Sequence, residues 1–296
     1  MIHERRGPAI ESTMAVQSYA PYLVAALFGL IFGSFLNVCI VRLPHHKSVV
    51  APRSHCPQCG ALIRWYDNIP VLSYALLRAR CRFCRHPISP IYPLVEFLTA
   101  ILFVIALTEF GLTALFLKAV IFGMAMIVLI FTDLNERIIP HSVTISGAVL
   151  GIILSLFIPV NDSLFEWIFR RFGLAFTGPI SSLVGSVTGG IFGAGLLYGV
   201  AWLFRRFGNP DKDYLGFGDV MLMLLVGVFL GIPLTYVTIL LGSLAGTLFA
   251  VALTLTHQRF RNYQWPYGSF LGAAAIYACF GGQGLIFAYL HWSGLR

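Results

Sequence analysis

Charge is scarce in this chain. Only 11% of its 296 residues are Asp, Glu, Lys or Arg, against 58% apolar. A soluble domain carries about 25% charged and about 45–50% apolar residues. That deficit excludes an ordinary soluble globule, because a sphere of this size cannot bury so much apolar surface whereas a bilayer can solvate it. Low polarity also excludes disorder. Acidic residues are the scarcest class, 12 against 20 Lys and Arg, for a net charge of +8. Cysteine is sparse too, at six, and four of the six form two C-x-x-C pairs. That usage points to metal more than to a secreted disulfide framework.

What is present is a series of long apolar runs. They predict an all-α, polytopic membrane protein of about eight transmembrane helices, over residues 21–41, 92–107, 112–131, 143–158, 180–204, 219–232, 234–255 and 268–290. The run at 219–232 is short for a full span and would thin the bilayer locally. The first run lacks a clear small-x-small cleavage site and reads as a retained helix. Three regions follow: an N-terminal segment with the first helix (1–43), a polar loop (44–91) and a multi-helix core (92–296). Between 159 and 179, Phe165, Trp167, Ile168 and Phe172 with Arg170 and Arg171 read as a short interfacial helix. Gly185, Gly189, Gly190, Gly193 and Gly195 read as a small-residue packing face.

Basic residues fall on alternate loops. With the 44–91 loop in the cytoplasm, 14 of the 20 Lys and Arg lie inside and five outside, with Lys118 within a span. By the positive-inside rule both ends of the chain then lie outside. The +8 charge is thereby a topology signal and not a nucleic-acid surface; the partner it implies is the lipid bilayer.

In the loop, Cys56-Pro57-Gln58-Cys59 and Cys81-Arg82-Phe83-Cys84 have the form of two zinc-knuckle halves, separated by 21 residues. Each turn sets two thiolates on one side of a bend, and two turns complete a tetrahedral site with no position open for catalysis. The metal would be structural, since so small a segment lacks a core of its own. Reduced thiols or a redox pair are the alternative that C-x-x-C permits. His55 and His86 flank the knuckles as bystanders. Cys39 and Cys279 lie in spans as apolar residues.

Two carboxylates stand at span ends on the cytoplasmic side: Asp133, after the third run, and Asp219, opening the sixth in Gly216-Phe217-Gly218-Asp219. Carboxylates at such positions are costly and often functional. Brought together, the two can share a proton, one acting as base toward a water and the other as acid toward a carbonyl. Gly216 and Gly218, without Cβ atoms, would let an extended peptide approach Asp219. The alternative is that both are solvated loop residues or helix caps, Asp219 being a natural N-cap. Glu96, one turn into the second run, is either an ion-pair partner of a loop arginine or a contact in a membrane-surface pocket, and so a candidate for cofactor binding. A transporter would place its carboxylates nearer the midplane; a non-enzymatic scaffold would need neither aspartate.

At these residues the chain resembles the type IV prepilin peptidases, the bifunctional prepilin leader peptidase/N-methyltransferase family. The resemblance runs over most of the chain. It is carried by Gly33-Ser34-Phe35-Leu36-Asn37-Val38 and Arg42-Leu43-Pro44, by the knuckles with 65–74 between them, and by Tyr92-Pro93-Leu94-Val95-Glu96. Asp133 with Ile139-Pro140, Gly216–Val220 and Pro266-Tyr267-Gly268-Ser269-Phe270-Leu271 complete it. It implies an inner-membrane G-x-G-D aspartic peptidase with Asp133 and Asp219 as its catalytic pair. Such an enzyme cuts the short basic leader from prepilins and pseudopilins and then methylates the new N-terminus with S-adenosylmethionine. It associates the zinc loop with the methylation step. Met221, His141, Tyr267 and Ser269 depart from the family pattern, which has Lys, Asp or Asn, Phe and Pro there.

Overall fold

The computed structural model describes residues 8–160, 178–208, 216–256 and 265–294, with side chains from Tyr19 onward. Among these the fold is helical throughout, with only two isolated β-bridges, both in the cysteine loop. The helices are α1 (Pro8–Arg42), α2 (Leu72–Leu76), α3 (Ile91–Phe110), α4 (Ala114–Glu136), α5 (His141–Ser155), α6 (Pro179–Phe207), α7 (Phe217–Thr256) and α8 (Tyr267–Trp292). Short 3-10 turns occupy Leu43–His45 and Trp65–Asn68.

Among the described residues six helical elements are long and apolar enough to cross a membrane, with α7 taken as one: Tyr19–His45 and α3, α4, α6, α7 and α8. All eight expected runs are helical among the described residues. The runs at 219–232 and 234–255 are the two arms of α7, 217–230 and 232–256, separate helices that meet where Gly231 adopts φ 75° two residues before Pro233. Proline removes an amide donor and glycine alone takes that backbone angle without strain, so the axis breaks there. The expected span at 143–158 is α5, 15 residues long and, like the first arm of α7, short for a crossing. The interfacial helix expected at 159–179 falls almost wholly outside the described residues.

The chain divides into two compact units, residues 1–38 with 50–116, and 39–49 with 117–296. In the first, α1 meets α3 at glycines: a Cβ on Gly29 would lie 2.5 Å from the Ala100 Cα, and one on Gly33 would lie 2.6 Å from the Glu96 Cα. Phe32 stacks on Phe103 alongside. In the same unit the cysteine loop is tied to α3.

The second unit is built around the first arm of α7, where Leu222, Met223, Leu225 and Val226 have no exposed surface. Met126 and Leu129 from α4 and Leu271 and Ala275 from α8 complete this core. Helix α6 lies against α7 backbone to backbone. A Cβ on Gly227 would sit 2.0 Å from the Gly189 carbonyl oxygen, and one on Gly193 would sit 2.4 Å from that of Met223. Gly189, Gly190 and Gly193 are buried in this crossing and Gly185 is buried too, whereas Gly195 faces open space. Ser186 donates its hydroxyl across it to the Val228 carbonyl at 2.9 Å.

Candidate active site and metal centre

The two aspartates lie at helix ends of the second unit. Asp133 is in the last turn of α4, which ends when Arg137 takes a left-handed conformation and returns its N–H to the Asp133 carbonyl. The chain then extends through Ile139-Pro140 into α5. Asp219 is the third residue of α7, and its carboxylate reaches back to the N–H of Gly216, the residue before the helix. This is the capping-box position and not the N-cap itself. Both side chains are buried, Asp133 at 5% and Asp219 at 8% exposure.

The segment at the start of α8 joins them. A Cβ built on Gly268 would lie 3.0 Å from Oδ1 of Asp219 and 3.1 Å from Oδ2 of Asp133, so both carboxylates border one methyl-sized point. Next to it, Ser269 donates its backbone N–H (2.6 Å) and its hydroxyl (2.8 Å) to Oδ2 of Asp133. Ile139 fills the remaining side, its side chain 2.7 Å from the Gly268 point and 2.9 Å from that of Gly218. Of the two glycines expected to admit a substrate, Gly216 has the Asp219 carboxylate as its one side-chain neighbour among the described residues, at 3.4 Å, and Gly218 faces Ile139. Gly268 and Ser269 carried no sequence signal of their own beyond membership of the late motif.

In the first unit the two knuckles repeat one geometry. The N–H of the first cysteine bonds to the carbonyl five residues on (Cys56 to Ala61, Cys81 to His86). The residue four on returns its N–H to that cysteine and has a left-handed backbone (Gly60, Arg85). The four Sγ atoms of Cys56, Cys59, Cys81 and Cys84 lie within 4.8 Å of one another. The backbone N–H of Cys59 draws the Cys56 thiol down to about 6 while burial and the neighbouring sulfurs push Cys84 up to about 11, since four crowded thiols do not all ionise without a cation. Such a quartet can hold a metal ion. His55 turns to the Arg53 carbonyl instead. Arg82, between the cysteines of the second knuckle, grips Asp67 with Nε at 2.8 Å and Nη2 at 2.5 Å. Those two hydrogen bonds hold the Asp67 carboxyl below the usual carboxylate range.

Glu96 is buried on α3. Its carboxylate accepts the Val71 N–H at 2.7 Å and a hydrogen bond from Ser34. Val71 has φ 58°, a conformation that a β-branched residue adopts only under restraint. Glu96 therefore anchors the loop to the membrane helix.

Apolar helices long enough to span a membrane, two buried aspartates that converge from different helix ends, and a four-cysteine loop define the class, a polytopic helical membrane protein. The comparisons narrow this class. Residues 27–110, including the four cysteines, match the Bacterial Peptidase A24 N-terminal domain. Residues 120–251, including both aspartates, match the Type IV leader peptidase family. The chain belongs to this family. It is 36% identical over 244 residues to a prepilin leader peptidase/N-methyltransferase of Myxococcus xanthus, covering 81% of this chain and 66% of that protein. Enzymes of the same name from Aeromonas hydrophila (30% over 288 residues, 89% of this chain and 92% of the relative) and Pseudomonas aeruginosa (28% over 306 residues, 96% and 98%) are similar over nearly their whole length. No solved structure matches the chain.

Proposed function

We propose that this chain cleaves the short basic leader from type IV prepilins and pseudopilins, with Asp133 and Asp219 as its catalytic pair. It then N-methylates the new N-terminal residue with S-adenosylmethionine. The carrying observation is the convergence of both carboxylates on Gly268, from helices far apart in sequence. One aspartate takes a proton from water as the water oxygen adds to the scissile carbonyl carbon; the other gives its proton to the carbonyl oxygen. The tetrahedral diol returns a hydroxyl proton to the second aspartate, the first protonates the nitrogen, and the C–N bond breaks. The products are a carboxyl end on the leader and a free amine on the pilin, with the pair restored. The basic-residue asymmetry supports an inner-membrane setting with the active site at the cytoplasmic face. An extended substrate backbone passes at Gly216, whose missing Cβ would meet no side chain but that of Asp219 among the described residues.

Zinc is the metal that four thiolates at this spacing suit, and with every position taken by cysteine its role is structural. S-adenosylmethionine supplies an electrophilic methyl group to the amine that cleavage exposes. Glu96, the cofactor candidate of the sequence, spends its carboxylate on the loop, and we assign it to anchoring. The test is incubation of the purified chain with a prepilin and labelled S-adenosylmethionine, reading product masses. Asp133→Asn and Asp219→Asn each abolish leader removal; normal cleavage by either overturns the assignment. Cys56→Ser with Cys81→Ser removes zinc by elemental analysis and reduces methylation while cleavage persists; loss of cleavage in a stably folded variant counts against the division of labour.

A further inference from the structure

We propose that Ser269 is a positioning residue of the peptidase centre: it holds Oδ2 of Asp133, the oxygen that borders the Gly268 point shared with Asp219, in place for catalysis. The inference rests on the reading of Asp133 and Asp219 as the catalytic pair. Two donors of one residue converge on one oxygen, the backbone N–H at 2.6 Å and the hydroxyl at 2.8 Å, with Ser269 only 6% exposed. Hydrogen bonds to a carboxylate in such a setting are among the stronger ones and fix its plane as well as its place. The N–H is available because Ser269 lies in the first turn of α8, where amides have no intrahelical acceptor; the Pro266 carbonyl shares it at 3.2 Å.

The hydroxyl has a second acceptor. Its oxygen lies 3.1 Å from the Ile130 carbonyl on α4, one turn before Asp133. A hydroxyl has one hydrogen, so it serves one acceptor at a time. While Asp133 is ionised the charge draws that hydrogen to Oδ2. When Asp133 has taken the proton of water, the hydroxyl can turn to Ile130 without stranding a buried donor. Ser269 thus follows the charge of Asp133 through the cycle while the backbone N–H keeps the carboxylate in register. The charged neighbours of Asp133 are Asp219, across the Gly268 point, and Arg137, one turn further along α4. Ser269 contacts the carboxylate and acts through it.

The test is steady-state cleavage of a prepilin by the full-length chain in detergent, comparing wild type, Ser269→Ala, Ser269→Thr and Asp133→Asn. Alanine removes the hydroxyl and keeps the N–H, and it lowers kcat about tenfold, the effect of one hydrogen bond to a charged group. KM and the thermal unfolding midpoint stay at wild-type values. Threonine, which keeps the hydroxyl, restores most of kcat. The proposal is overturned if alanine leaves kcat unchanged, if the loss lies in KM, or if threonine is as impaired as alanine. Asp133→Asn separates the two readings. If it is inactive while Ser269→Ala is normal, only this proposal falls; if it cleaves normally, the catalytic pair itself is wrong.

Discussion

Gly268 is the residue on which the two aspartates depend. Its missing Cβ leaves the space that Asp133, Asp219 and Ile139 border, so Gly268→Ala would drive a methyl group to about 3 Å from both carboxylates and closer still to Ile139. We expect that variant to fold and to lose at least tenfold in leader cleavage, since misplacement of about 1 Å can cost a hundredfold. Cleavage kinetics beside circular dichroism in detergent check it. The aspartates themselves were legible in the sequence because acid groups are so scarce there that two at span ends stand out. Gly268 and Ser269 were not: a glycine and a serine entering an apolar helix have a common packing role, and nothing local says which carboxylate they meet.

At the scale of elements, the run of glycines in α6 was readable as a packing face, but its partner was not. The partner is the first arm of α7, and the tightest contact is Gly227 on Gly189. Gly227→Ala therefore forces the two helices apart and costs about 1–3 kcal/mol, as overpacking does elsewhere. Gly195→Ala, which meets open space, stays within about 0.5 kcal/mol. Thermal unfolding midpoints in detergent read both.

In the cysteine loop the Asp67–Arg82 pair ties the second knuckle to the 3-10 turn. Because the Asp67 carboxyl is held low in the fold, its contribution is complete above the unfolded value of about 3.9 and is lost as pH falls through the folded one. Asp67→Asn should accordingly speed amide exchange in the loop near neutral pH, with the difference from wild type closing in acid. The knuckles were visible as cysteine spacing. The anchoring of the loop by Glu96 was not, because its hydrogen bond comes from a backbone N–H 25 residues away, and backbone donors leave no mark in a sequence.

For the whole molecule, the distribution of basic residues sets the topology. Reporter fusions should follow it: a fusion ending at Leu112, between α3 and α4, is active as an exported phosphatase, and one ending at Gly208, after α6, fluoresces as cytoplasmic green fluorescent protein. The opposite pattern overturns the orientation and with it the cytoplasmic placement of the aspartates.

By itself the sequence determined the solvent of this protein, its helical architecture, the cysteine quartet and the two carboxylates worth watching. Each of these follows from composition or from short-range spacing, which the chain carries locally. The tertiary structure decided which helix the α6 glycines meet, Gly189 lying on Gly227 of α7. It decided that the cysteine loop belongs with the helices on either side of it. It also decided that the aspartates close on a glycine and a serine of the last helix. Those outcomes depend on how closely backbones approach, and that is settled by contacts between residues far apart in the chain.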